Sequence, residues 1–155
     1  MKKILNTLLI AAAVIFIDQL SKFLIISSAT DLIHKNAGIA FSLPIYGNIV
    51  LAAAYIALAA ILFFAYKTFD FSKKISQLAL GFIFGGAISN IIDRIVHGAV
   101  IDFIDLKIWP VFNIADICIT AGILAIIVFY DKIKSEINRR GIRRISDEPL
   151  KNPRR

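Results

Sequence analysis

The sequence predicts an all-α membrane protein, four transmembrane helices carrying a small extracytoplasmic β element. Three observations predict it. Four apolar runs punctuate the chain: Ile4 to Ile26, Ile49 to Tyr66, Ile75 to Ile92 and Ile114 to Tyr130. Hydrophobic residues make up 58% of the 155, against about 45–50% in a soluble domain even when Gly is included, and the mean hydropathy is +0.76. The basic residues are unevenly placed along the chain in the way that membrane topology demands.

The first run follows Lys2 and Lys3 and imitates a signal peptide, with Ser27-Ser28-Ala29 as a small-residue cleavage site. Asp18, Gln19 and Lys22 interrupt it, and further spans follow, so an uncleaved helix is expected. The second and third runs each hold 18 residues without a charge. The fourth has 17 residues with Asp116 near its start. About 17–25 residues cross the hydrocarbon core as a helix, so all four are spans of the shorter kind. Four spans put both termini on one side. Fourteen Lys and Arg then fall on that side, and Lys22, Lys35, Arg94 and Lys107 elsewhere. The positive-inside rule makes the termini cytoplasmic. Trp109, Tyr46 and Phe112 suit the outer interface. In the first external loop Ile39, Phe41 and Leu43 alternate with smaller residues, the pattern of a short strand. The third span carries Gly81-x-x-x-Gly85 and Gly86, read as a close-packing face.

The net charge is +7, and residues 132–155 contribute six of it. A basic segment beside a span points to an anionic lipid surface, and no nucleic-acid motif accompanies it. Cys118 is the single cysteine, so no intramolecular disulfide exists.

The polar residues gather between Gly85 and Asp116, at the outer ends of the third and fourth spans. Four of the 11 acidic residues lie there: Asp93, Asp102, Asp105 and Asp116. A carboxylate at the centre of a membrane helix costs roughly 2.5–3.5 kcal/mol, so such a concentration points to use. Asn90 and Asp93 are three apart at the end of one helix, Asn113 and Asp116 three apart at the start of the next, so each pair shares a face. Simpler readings exist for each residue alone. Asp116 suits the positive end of a helix dipole. Asp93 and Arg94 suit the interface with water, and Asp105 and Lys107 a solvated loop. Asp18 and Lys22, four apart, can pair with each other. Together the carboxylates admit another reading: of two held close, one keeps a proton. The ionised partner then activates water while the protonated one polarises a carbonyl. Metal ligation looks poor, with two histidines in different loops. Ser89 lacks both a nucleophile elbow and a general base. Spacing alone leaves Asp102 and Asp105 equivalent. Intramembrane proton relay and a non-enzymatic scaffold are the competing classes. A relay wants charge at the bilayer midplane, whereas these aspartates sit at one end.

Five segments in order resemble bacterial lipoprotein signal peptidase, signal peptidase II. They are Asp18-Gln-Leu-Ser-Lys22, Asn36-Ala-Gly-Ile-Ala-Phe41, Gly85-Gly-Ala-Ile-Ser-Asn-Ile-Ile-Asp-Arg94, Val100-Ile-Asp-Phe103 and Phe112-Asn-Ile-Ala-Asp116. The resemblance implies an aspartyl endopeptidase of the bacterial inner membrane that needs no metal or cofactor. It would cut prolipoproteins before a diacylglyceryl-modified cysteine, near the outer leaflet. It implies Asp102 and Asp116 as the catalytic pair. Asn36, Asn90, Asp93, Arg94 and Asn113 would line the site or hold substrate, and Asp18 and Lys22 would support it. Residues 1–131 form the peptidase domain on this reading and 132–155 a cytoplasmic tail. Ser89 stands where the family usually has Gly, an expected effect on packing alone. Asp102 is expected in a loop whose movement brings it to Asp116.

Overall fold

The computed structural model describes residues 2–28, 33–36, 56, 58–61, 63–65 and 67–133. Helix α1 spans Lys2–Ser28, strand β1 His34–Asn36, helix α2 Lys74–His97, strand β2 Val100–Asp102 and helix α3 Ile114–Ile133. Three of the predicted spans are therefore long helices, each apolar enough to cross a membrane. Most of the run from Ile49 to Tyr66 lies outside the described residues. Those described between 56 and 65 are helical, as are 67 and 68. The strand expected over Ile39, Phe41 and Leu43, the ring of Tyr46 and residues 134–155 also lie outside them.

α2 is the central helix. It packs along both α1 and α3, which touch each other only slightly. Leu80 and Ile83 on α2 are buried, whereas Leu8, Phe16 and Phe23 of α1 and Ile127 and Val128 of α3 are exposed. Large apolar side chains turned outward on α1 and α3 suit a lipid solvent. α2 approaches both neighbours closely because Gly85 faces α1 and Gly86 faces α3. A Cβ on Gly85 would lie 2.7 Å from the Val14 side chain and 2.8 Å from the Ala11 carbonyl oxygen of α1. A Cβ on Gly86 would lie 2.5 Å from the carbonyl oxygen of Ala115 in α3. The small-residue face is thus a packing face, as its spacing predicts.

α2 begins after a turn held by Asp70, whose Oδ1 accepts from Ser72 N at 2.9 Å. It runs one turn further than its apolar run and stops at Gly98. That residue has φ 71° and donates its N–H to the Arg94 carbonyl at 3.2 Å, the left-handed cap that glycine adopts at little cost. The chain then enters β2. Asp102 therefore lies in a strand rather than a loop, and the partner strand is β1, which lies between the first two apolar runs. The two strands are antiparallel, with His34 opposite Asp102 and Asn36 opposite Val100. Beyond β2 the chain closes on itself: Ile104 N donates to the Phe112 carbonyl at 2.8 Å and Phe112 N to the Ile104 carbonyl at 3.1 Å. That closure returns the chain to the start of α3 directly beside β2.

Substituting Gly86→Ala should force α2 and α3 apart and cost about 1–3 kcal/mol, the usual range for overpacking. Thermal unfolding in detergent should show a lower midpoint; an unchanged midpoint would show that the α2–α3 seam is not held at this contact.

Candidate active site

The site is built outward from the first turn of α3. Asn113 is the residue before the helix. Its Oδ1 accepts from Asp116 N at 2.9 Å, and Asp116 Oδ2 accepts from Asn113 N at 3.2 Å. This is a reciprocal capping box, here made of Asn and Asp. The reading of Asp116 as a helix-start residue is correct, and the same contact fixes where its carboxylate points. Asn113 has a second task. Its Nδ2 donates to Asp102 Oδ1 at 2.7 Å. One asparagine thus holds both aspartates, and no loop movement is needed to bring them to a common site.

Asp102 is held from the other side by β1, where Asn36 Nδ2 donates to its Oδ2 at 3.3 Å. Only 3% of Asp102 is exposed. Burial pushes its carboxyl pKa up to about 6, with the neighbouring charge of Asp116 acting in the same direction. The hydrogen bonds from Asn36 and Asn113 and the positive charge of Lys22 oppose the rise. Asp105 behaves otherwise. It is exposed, and its carboxyl lies below the usual range because Lys107 donates to it twice, from Nζ and from N, each at 2.7 Å. Lys107 has φ 66°, and the Asp105 side chain holds that turn. Spacing did not separate these two aspartates; burial does.

α2 turns Asn90 and Asp93 toward different neighbours. Asn90 Nδ2 donates to Asp116 Oδ1 at 2.9 Å, and its Oδ1 accepts from Asn113 at 3.1 Å. Arg94 Nη1 donates to the Asn90 carbonyl at 3.2 Å. Asp93 turns away from the pair. Its Oδ2 accepts from Ile101 N at 3.0 Å, tying β2 to α2, and meets Lys22 Nζ at 2.7 Å. At 1% exposure, Asp93 does not meet water as its simpler reading had it.

Asp18 and Lys22 do pair, at 2.6 Å, and both are buried. The pairing does not exhaust either residue. Asp18 Oδ1 accepts from Ala115 N at 2.8 Å, so a carboxylate from α1 satisfies an amide in the first turn of α3. Its Oδ2 accepts from Ser89 Oγ at 2.7 Å. Ser89 is therefore a hydrogen-bonding residue, and the expectation that it affects packing alone is corrected. Gln19 was missed as a site residue. Its Nε2 donates to Asp93 Oδ1 at 2.8 Å and to Ser89 Oγ at 2.9 Å. Its place beside Asp18 in an apolar helix was the available signal.

Asn36, Asn90, Arg94, Asp102, Asp116 and Trp109 line one cavity of about 460 Å³, whose remaining walls are mainly apolar. Asp18, Lys22, Asp93 and Asn113 stand behind this lining and hold it. Among the described residues no three His, Cys, Asp or Glu side chains are placed to hold a metal ion. Two carboxylates on one cavity wall, one of them about half protonated near pH 6, have what acid–base hydrolysis of a peptide requires.

The comparisons agree with this chemistry. A family model described as signal peptidase (SPase) II matches residues 10–131. A lipoprotein signal peptidase of Moorella thermoacetica is 38% identical over 130 residues, covering 76% of this chain and 87% of that protein. One of Halothermothrix orenii is 32% identical over 135 residues, covering 78% and 92% respectively. A solved structure described as a bacterial membrane enzyme superposes with a TM-score of 0.63 at 28% identity, covering 96% of this chain and 94% of that one. A second, of the same description, gives a TM-score of 0.61 at 29% identity, covering 79% and 90%. The chain belongs to the signal peptidase II family, the aspartic peptidases that process lipoproteins.

Proposed function

We propose that Asp102 and Asp116 are the catalytic pair with which this family member removes signal peptides from prolipoproteins. The family supplies the reaction class, an aspartic peptidase. The observation that carries the assignment is Asn113, which bonds Asp102 at 2.7 Å and engages Asp116 through its backbone and side chain. Asp116 receives donors from Asn90 and Asn113 on both oxygens, which hold its carboxylate in place, and it acts as the anion of the pair. Asp102, raised to about 6, holds the proton. The anion draws a proton from water, and Asp102 donates to the carbonyl oxygen as the tetrahedral carbon forms. As the C–N bond breaks, the proton taken by Asp116 passes to the leaving amine and a hydroxyl of the tetrahedral carbon returns a proton to Asp102. Asn36 and Arg94 lie on the cavity wall, placed to orient the peptide.

The cut falls before the diacylglyceryl-modified cysteine. Acyl chains anchor that residue in the outer leaflet, and the pair belongs at that level. The charge-free run from Ile49 to Tyr66 supplies a fourth span, supported by the helical conformation of its described residues. With four spans, both termini face the cytoplasm by the distribution of Lys and Arg, and the membrane is the bacterial inner one. The segment 132–155 rests on anionic lipid.

Asp102→Asn and Asp116→Asn should each lower cleavage of a lipid-modified prolipoprotein by about a thousandfold or more, as loss of an acid–base group does, with folding and insertion retained. Asp105→Asn should keep near-normal turnover. Full activity in Asp116→Asn would remove the pair from consideration. The pH profile supplies a second check. Asp102 loses its proton as pH rises through about 6, so kcat/KM should fall on the alkaline side with an apparent pKa near that value, a property of the coupled pair. Bound substrate excludes water and raises the carboxyl further, so the limb in kcat should lie at higher pH. A kcat limb below that of kcat/KM would contradict the assignment of the proton to Asp102. A peptide of residues 132–155 should bind anionic vesicles less tightly as salt rises; salt-insensitive binding would contradict the lipid contact.

A further inference from the structure

Asn90 touches the proposed pair with one end of its amide and a buried cation with the other. Its Nδ2 donates to Asp116 Oδ1 at 2.9 Å. Its Oδ1 accepts from Asn113 Nδ2 at 3.1 Å and from Lys22 Nζ at 3.2 Å. An amide turned end for end keeps its shape and exchanges donor for acceptor. In the turned state Asn90 would set an oxygen against Asp116 and an NH2 against Lys22. An ammonium has three donors and no acceptor, so Lys22 excludes that state.

Asn113 is fixed separately: its Oδ1 accepts from Asp116 N at 2.9 Å, which keeps its Nδ2 toward Asn90 and Asp102. Its Nδ2 is held by Asp102 Oδ1. In an acid–base pair that carboxyl gains and loses a proton, and a protonated carboxyl is a donor itself. The contact between Asn113 and Asp102 is therefore exposed to the state of the reaction. Lys22 is not: its charge is balanced by Asp18 at 2.6 Å and Asp93 at 2.7 Å, away from the cavity. Lys22 is 2% exposed and is absent from the cavity lining, so it does not touch substrate.

The geometry points to Lys22 as a positioning residue for hydrolysis, one that acts through Asn90 to keep a donor aimed at Asp116 in every protonation state of the pair. This rests on the reading of Asp102 and Asp116 as the pair. The charged groups that surround the relay are Asp18 and Lys22 on α1, Asp93 and Arg94 on α2, Asp102 on β2 and Asp116 on α3. Arg94 is close enough to interact electrostatically with Asp93, Asp102 and Asp116.

The test is a double-mutant cycle on the full chain in lipid, with steady-state cleavage of a diacylglyceryl-modified prolipoprotein followed against pH. Lys22→Gln should lower kcat about tenfold or more with KM within about twofold, the pattern of a lost transition-state interaction. Its alkaline limb should move up by roughly half a pH unit or more, since loss of a cation and its oriented donor favours the protonated carboxyl. Asn90→Leu should show a comparable loss. The double variant should be no worse than Asn90→Leu alone, because both changes break one relay. Losses that multiply in the double variant would overturn the proposal, as would a limb shift from Lys22→Gln that persists undiminished beside Asn90→Leu. If Lys22→Gln does not fold, Lys22→Gln with Asp93→Asn takes its place, measured against Asp93→Asn, and the same outcomes decide. Asp116→Asn is run alongside. Full activity there defeats the reading of the pair itself, whereas an inactive Asp116→Asn with multiplicative losses defeats only the relay.

Discussion

A buried ammonium organises the polar half of this protein. Lys22 lies 2.6 Å from Asp18 and 2.7 Å from Asp93, with all three side chains almost fully enclosed. Charges taken out of water are costly, and removing one member of such a set commonly destabilises by about 3–5 kcal/mol because the others are left uncompensated. The arrangement is tolerated because the two carboxylates are bonded elsewhere too. Asp18 accepts from Ala115 N and Ser89, and Asp93 from Ile101 N and Gln19. Those contacts fasten α1 to α3, and β2 to α2. The ion set is therefore also the joint between the helices and the small sheet.

The same economy governs the pair of aspartates. Asp116 closes a capping box at the start of α3, and Asn113, the other half of that box, also bonds Asp102. A helix start has amides that require partners. Here they fix the direction of the Asp116 carboxylate, one of the proposed pair. The structural and the chemical readings of Asp116 are one contact seen twice. Rigidity follows from secondary structure: Asp102 is on a strand paired to β1, and Asp116 is in a helix seated on α2 through Gly86.

The two carboxylates differ because their surroundings differ. Asp102 has Asp116 as a neighbour, little water and an opposing set of donors from Asn36 and Asn113; the balance leaves its carboxyl raised to about 6. Asp105, three residues later, is exposed and paired with Lys107. The closure between Ile104 and Phe112 separates them. It leaves Asp105 outside and returns Asn113 to Asp102.

Much of this was legible in the chain. Apolar runs of 17 or 18 residues leave few alternatives to a span, so three of the four helices follow from length and hydropathy. The pairing of Asp18 with Lys22 and of Asn113 with Asp116 follows from helical spacing. Asp102 was separable from Asp105 only through likeness to a family, since period and spacing treat the two alike. Ser89 and Gln19 show the limit most plainly: a polar group on an apolar helix signals a partner but does not name one 70 residues away. What local sequence determined by itself was which segments enter the membrane and which residues share a face. Tertiary structure decided which carboxylates are dry, which end of each amide faces them and which cation holds that direction. Burial and amide orientation arise only when separate helices meet.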